Sequence, residues 1–85
     1  MEESGIHSEQ IAAVVRGVDR IGSYATACPE EGQPLATITI TFSFQAWTGK
    51  KMPMKGQCVI LSQVSKFEKG WRALHVDPVT HLTRA

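Results

Sequence analysis

The sequence has few cysteines, few aromatic residues and no long apolar run. Its two cysteines, Cys28 and Cys58, lie far apart and have no CxxC or Cys/His spacing, so neither a disulfide framework nor a zinc site is predicted. No apolar segment approaches the ~20 residues of a membrane-spanning helix. The first residues are acidic where a secretory signal would be basic. We therefore expect a cytoplasmic chain without a membrane span.

Length and composition limit the size of the fold. The 85 residues are 42% hydrophobic and 20% charged, which is typical of a globular protein and sufficient for one small domain. We expect residues 1–7 to form a disordered tail and residues 8–85 a single domain. A domain of this size buries few groups deeply, which disfavours an elaborate active site.

Charge is distributed unevenly along the chain. Residues 1–31 carry six acidic and two basic side chains, whereas residues 32–85 carry seven basic and two acidic ones. Six of those seven basic residues fall between positions 50 and 72. This asymmetry could focus an anion-attracting field on one face of the molecule.

Apolar alternation predicts strands in the C-terminal two thirds of the chain. From Leu35 to Trp47, apolar and hydroxyl side chains alternate with period two, as in a half-buried strand. The glycine-bounded segment 48–56 contains a proline and is predicted to be a loop. We predict a second strand over 57–64, with an apolar centre buried on both sides. A polar reversal at 65–70 and a third strand over 71–76 follow it.

The segment from Ser8 to Gly22 is ambiguous. Its apolar residues fit a helical period, but Gly17 and the density of valine and isoleucine favour strands. We favour a strand over 11–18, a turn over 19–22 and a returning strand over 23–28, with 29–32 as the next turn. The predicted fold is thus an all-β, five-stranded OB-like Greek-key barrel. The alternative is an αβββ domain in which residues 8–21 are helical.

The order of strands and turns resembles the cold-shock type of OB-fold. The likeness lies in Gly56-Gln57-Cys58-Val59, in Lys69-Gly70-Trp71-Arg72-Ala73-Leu74-His75-Val76, and in Gly22 to Gly32 with its Pro-Glu-Glu-Gly turn. The resemblance implies a small barrel that binds single-stranded nucleic acid. Tyr24 alone represents the aromatic-rich second strand of that family.

Single-strand binders combine cations that follow the phosphates with flat rings that stack on bases. Phe42 and Phe44 share the apolar face of their strand and are expected in the core. The predicted nucleic-acid-binding residues are Tyr24, Trp47, Lys50, Lys51, Lys55, Lys66, Lys69, Trp71 and Arg72. This prediction requires the fold to bring the 48–56 loop and the 65–70 reversal to a common side.

Catalytic and metal-binding motifs are lacking. His7, His75 and His81 match no metal-ligand spacing, and no nucleophile elbow or phosphate-binding loop occurs. We expect no cofactor and no enzymatic activity. The leading hypothesis is a domain that binds single-stranded DNA or RNA with little sequence preference. The alternative is a module that binds a protein partner or a second copy of itself.

Overall fold

A computed structural model describes residues 6–7, 10–33 and 35–79. Nearly all of its regular structure is β, and none of the described residues forms a helix long and apolar enough to cross a membrane. The elements in chain order are β1 (Ile6–His7), β2 (Ile11–Asp19), β3 (Tyr24–Pro29), β4 (Ile40–Ser43), a short 3-10 turn (Phe44–Ala46), β5 (Cys58–Phe67) and β6 (Gly70–Pro78).

Five strands close into a barrel. Strand β5 pairs with β2, β2 with β3, β3 with β4, β4 with β6 and β6 again with β5. All of these pairs are antiparallel except β4 with β6, which is parallel. The predicted OB-like barrel is therefore confirmed, and the αβββ alternative is wrong.

The predicted tail falls partly outside the described residues. Residues 1–5 are not described, but Ile6 and His7 pair with Ser65 and Val64 of β5. The strand β1 thus lengthens the sheet beside β5, and the expectation of a tail through residue 7 does not hold for these last two residues.

Strands β2 and β3 form the predicted N-terminal hairpin. The turn occupies residues 20–23, where the Asp19 carboxylate accepts a hydrogen bond from the Gly22 amide at 2.9 Å. Val15 lies opposite Ala27 and Gly17 opposite Thr26, so Arg16 is the extra residue of a β-bulge. Such a bulge bends its strand and redirects side chains.

The strand predicted over 35–47 is much shorter in the structure. Residues 35–37 form a turn in which Leu35 adopts a φ of 62° and its carbonyl accepts from the Ile38 amide. The 3-10 turn then ends the strand after Ser43. Apolar and hydroxyl residues therefore alternate well beyond the four residues of β4. The alternation of side chains does not show where the backbone leaves the sheet.

The last two strands are longer than predicted. Their hairpin reverses over residues 68 and 69 alone, with Phe67 opposite Gly70, whose φ is 131°. The expectation that 58–61 is buried on both sides is wrong, since Cys58 is exposed and Ile60 half-buried while Val59 and Leu61 are buried. One face of β5 lines the barrel and the other faces outward.

The barrel interior is small and apolar. Its buried side chains come from all five barrel strands, and Phe42 is the largest of them. Four alanines, Ala13, Ala25, Ala27 and Ala73, leave room for that ring. Phe42 is in the core as predicted, whereas Phe44, in the 3-10 turn, packs against the core only partly buried.

Candidate functional site

One outer face of the barrel spans β3, β4 and β6. Thr26 lies opposite Thr41, and Thr41 lies beside Arg72 in the parallel pair. These side chains point outward because their neighbours Ala25, Ile40 and Ala73 are buried. Hydroxyl side chains and one guanidinium thus form a row across three strands.

A depression of about 380 Å³ opens on this face. We call it the outer groove, and it is lined by Gly22, Ser23, Tyr24, Thr41, Ser43 and Arg72. Two further depressions adjoin it at Ser43, so the concave surface continues toward the 3-10 turn and toward Leu74. No acidic residue lines the outer groove, and Arg72 makes no ion pair with any described residue.

Tyr24 supplies the aromatic ring of the outer groove. Its residue surface is 39% exposed, and the ring lies against Gly22. A Cβ at Gly22 would come within 2.6 Å of the ring carbon Cε2. Glycine at this position therefore lets the ring lie over the 20–23 turn beside the hydroxyls of β4.

The β5–β6 hairpin adds charge and a second ring to the same face. Phe67 lies opposite Gly70, two residues along from the Ser65–Arg72 pair, so Phe67 and Arg72 are on one face of the hairpin. Phe67 is 44% exposed. Lys66 and Lys69 are also exposed at this end of the hairpin, with Glu68 between them in the sequence.

Contacts with other described residues hold the Trp47 ring in place. Its indole Nε1 donates a hydrogen bond to the Lys51 carbonyl at 2.6 Å, and its ring stacks on Phe42 with centroids 6.1 Å apart. A Cβ at Gly49 would meet the ring at 2.6 Å. The ring is thus held between the core and the beginning of the 48–56 loop.

The two lysine-bearing connections do not share a common side. The 48–56 loop enters β5 at Cys58 and the hairpin leaves it at Phe67, which separates them by a strand of about 30 Å if straight. Thr48 bonds to the Val76 carbonyl and the Asp77 carboxylate, near the far end of β6 from Arg72. The condition that both connections lie on one side is therefore not met, because a hairpin and the loop preceding its first strand lie at opposite ends of that strand.

The predicted site residues thus divide into groups. Tyr24 and Arg72 line the outer groove. Lys69 lies at the hairpin turn, whereas Lys66 pairs with Trp71 and is on the opposite face of β5 from Phe67. Lys50 and Lys51 lie near the end of β6. Lys55 lines a different depression beside β2. Trp71 is half-buried, packs against the core and pairs with Ile40 and Lys66.

Sequence reasoning missed the polar floor of the outer groove. Thr41 and Ser43 belong to the hydroxyl face of the alternating segment 35–47, and this period-two pattern was the signal available. The sequence predicted only a turn for Gly22 and the first residue of the returning strand for Ser23. Ser23 adopts a φ of 60° there, and its carbonyl accepts from the Phe44 amide at 3.0 Å, which ties the turn to the end of β4.

The histidines offer no site within the described chain. His75 lies 3.3 Å from the Asp77 carboxylate on the surface. The side chain of His7 and the whole of His81 lie outside the described residues. Among the described residues, no three His, Cys, Asp or Glu side chains group to hold a metal ion.

The fold and this face define a class: a small barrel of OB-like topology with a polar, partly aromatic groove across its second, third and fifth barrel strands. No protein-family model matches the sequence, and the comparison with curated proteins finds no match.

Proposed function

We propose that this barrel binds single-stranded nucleic acid in the outer groove, with little sequence preference. The observation that carries the proposal is the exposed Tyr24 ring beside Arg72 and the hydroxyls of Thr41 and Ser43. In OB-folds, the face of the second and third strands and the loops beside it hold oligonucleotides or oligosaccharides. Here those strands are β3 and β4, and the loops are residues 20–23 and 68–69.

The chemistry of the face suits a single strand. A ring can stack on any base, which contributes about 1 to 3 kcal/mol per base without sequence preference. Arg72 in the groove and Lys69 at the hairpin turn supply cations for the phosphates, while hydroxyls donate to phosphate or sugar oxygens. The absence of an acidic lining residue removes the main source of repulsion for a polyanion.

The likeness to cold-shock proteins supports the same proposal. Gly56-Gln57-Cys58-Val59 leads into and begins the fourth barrel strand, and Lys69 to Val76 forms the fifth with the end of its hairpin. Stacking capacity is smaller than in that family, because Tyr24 and Phe67 are the exposed rings of this face. We therefore expect weak binding that depends strongly on electrostatics.

A fluorescence-anisotropy titration with labelled oligo-dT and oligo-U tests the proposal. Affinity should be measurable at about 50 mM salt and fall steeply toward about 200 mM, because neutralised phosphates release counterions. A flat titration with both oligonucleotides at low salt would refute it. If an oligosaccharide of similar length binds and neither oligonucleotide does, the ligand of the outer groove is a carbohydrate.

A second candidate function is favoured by one feature beside the groove. Ile21 is 99% exposed at the tip of the 20–23 turn, near the partly exposed Tyr24, so covering both side chains with a partner would remove apolar surface from water. This feature fits a protein-interaction or self-association module. Concentration-dependent sedimentation that Ile21→Ser abolishes, together with no oligonucleotide binding, would establish this function instead.

A further inference from the structure

A second cationic surface lies on the barrel beyond the outer groove. Arg16 and Arg20 from β2 and its turn, together with Lys55 from the 48–56 loop, line a depression of about 560 Å³ over the buried Pro53. We call it the basic depression. The two arginines come from the acidic N-terminal part of the chain, so the charge distribution along the sequence gave no sign of it.

The positive charge of the basic depression is not neutralised by the described residues. Arg16, Arg20 and Lys55 make no ion pair with any of them. Asp19 is the nearest acidic residue in the chain and keeps its negative charge while accepting from the Gly22 amide, but it does not line the depression. Three like charges gathered in one concavity repel one another and attract a polyanion.

The β-bulge explains how Arg16 reaches this surface. Val15 is buried and Gly17 lies opposite Thr26, so the extra residue Arg16 is turned outward and is exposed. The backbone of the 48–56 loop is fixed to the same strand, because the Gly56 amide donates to the Val15 carbonyl at 2.8 Å and Val15 donates to Gln57 at 2.9 Å. Two separate elements are thereby held together around the depression.

A path of small side chains joins the basic depression to the outer groove. From Arg72 the outward row passes through Thr41 and Thr26 to Gly17, and Thr26 Oγ1 lies 3.5 Å from the position of a Cβ on Gly17. Three strand spacings separate β6 from β2, about 14 Å along the sheet. A single-stranded nucleic acid that follows this path can contact Arg72 at one end and the cations of the basic depression at the other.

We infer that the basic depression binds the phosphates of the same single strand whose bases occupy the outer groove. The inference rests on the proposed function and extends its binding site across β2. It predicts that a longer nucleic-acid strand makes more contacts with Arg16, Arg20 and Lys55 than a short one does.

Two variants of equal charge test this inference. R16Q/K55Q removes two cations from the basic depression, and K50Q/K51Q removes two cations near the end of β6. Each would be titrated with strands of about 4 and about 12 thymidines, which lie within the range of OB-fold site sizes, between about 50 and 200 mM salt. Thermal unfolding should match the unsubstituted protein, since all four side chains are exposed.

The salt dependence of the longer strand decides the outcome. For R16Q/K55Q the slope of log K against log salt should fall by about 1.4, since each phosphate contact of a single strand contributes about 0.7. K50Q/K51Q should keep the full slope for both strands, and R16Q/K55Q should weaken binding of the longer strand more than that of the shorter one. R20Q alone should lower the slope for the longer strand by about 0.7.

Three results would overturn the inference. An unchanged slope in R16Q/K55Q would refute it while leaving the proposed function intact, provided that the unsubstituted protein binds both strands. An equal loss in K50Q/K51Q would show an effect of net charge. Failure of the unsubstituted protein to bind either strand would refute the proposed function and this inference with it.

Discussion

Two aromatic residues of this barrel lie beside glycines and have opposite roles. Tyr24 lies against Gly22 and Trp47 against Gly49, each so close that a Cβ would meet the ring at 2.6 Å. The Trp47 ring stacks on Phe42 and its Nε1 donates to Lys51, whereas the Tyr24 ring lines an open groove. Whether a ring is available to a ligand therefore depends on the partners that it already has, more than on its place beside basic residues.

We expect the largest effect on removal of the Trp47 ring, and this effect is a loss of stability. Trp47→Ala should lower the free energy of unfolding by about 2 to 3 kcal/mol, somewhat less than a fully buried aromatic, because the ring is only partly buried. Denaturant unfolding followed by far-UV circular dichroism measures the loss. Trp47→Phe keeps the stacking and removes the hydrogen bond, so it should lose about 1 kcal/mol. Unchanged stability in Trp47→Ala would show that its ring is free for a ligand.

Tyr24 should show the opposite behaviour. Tyr24→Ala should weaken oligonucleotide binding by about 5- to 150-fold, the value of one stacked base, with little change in stability because the residue lies on the outside of the barrel. Anisotropy titrations at fixed salt give the ratio of the dissociation constants. Tyr24→Phe, which retains the ring, should bind nearly as well as the unsubstituted protein. Equal weakening in both variants would attribute the interaction to the hydroxyl group instead.

The two glycines test the same difference indirectly. Gly49→Ala crowds a ring that is fixed on both sides, and should lower the free energy of unfolding by about 1 to 2 kcal/mol. Gly22→Ala displaces a ring that can turn into solvent, so it should weaken binding a few-fold with a smaller loss of stability. Thermal unfolding and anisotropy on both variants make the comparison. Equal stability losses would mean that Tyr24 is held as firmly as Trp47.

The smallest expected effect concerns the hairpin cations. K66Q/K69Q should lower the salt slope for oligo-dT by at most about 0.7, the value of one phosphate contact, because Lys66 lies on the other face of the hairpin from Arg72. Binding to all sequences should weaken alike, because phosphate contacts carry no base information. Salt-dependent titrations with oligo-dT and with a mixed-sequence strand measure both properties. A sequence-dependent loss would place these lysines on base edges.

Much of the fold could be predicted from local signals. Turn residues at 19–22 and 29–32, together with the β-branched residues of β2, located the first hairpin within about two residues. The error at 35–47 arose because hydroxyl and apolar residues continue to alternate through the turn at Leu35 and the 3-10 turn after Ser43. The left-handed conformations of Leu35 and Ser23 depend on tertiary contacts that a single sequence does not display.

The site was harder to predict than the fold. Residue type alone predicted Tyr24 and Arg72 as site residues, but their grouping with Thr41 and Ser43 follows from the β3–β4–β6 pairing. The parallel pairing of β4 with β6 is long-range in sequence, so composition could not reveal it. Arg16 and Lys55 are also distant in the chain, one in its acidic part and the other in its basic part. Composition could therefore not predict that they share a depression.

Amide chemical-shift mapping shows whether oligo-dT occupies the outer groove. On titration of the ¹⁵N-labelled protein with oligo-dT, we expect the largest shifts at Gly22, Tyr24, Thr41, Ser43 and Arg72. Largest shifts around Trp47, Lys50 and Lys51, with the outer groove unaffected, would contradict it.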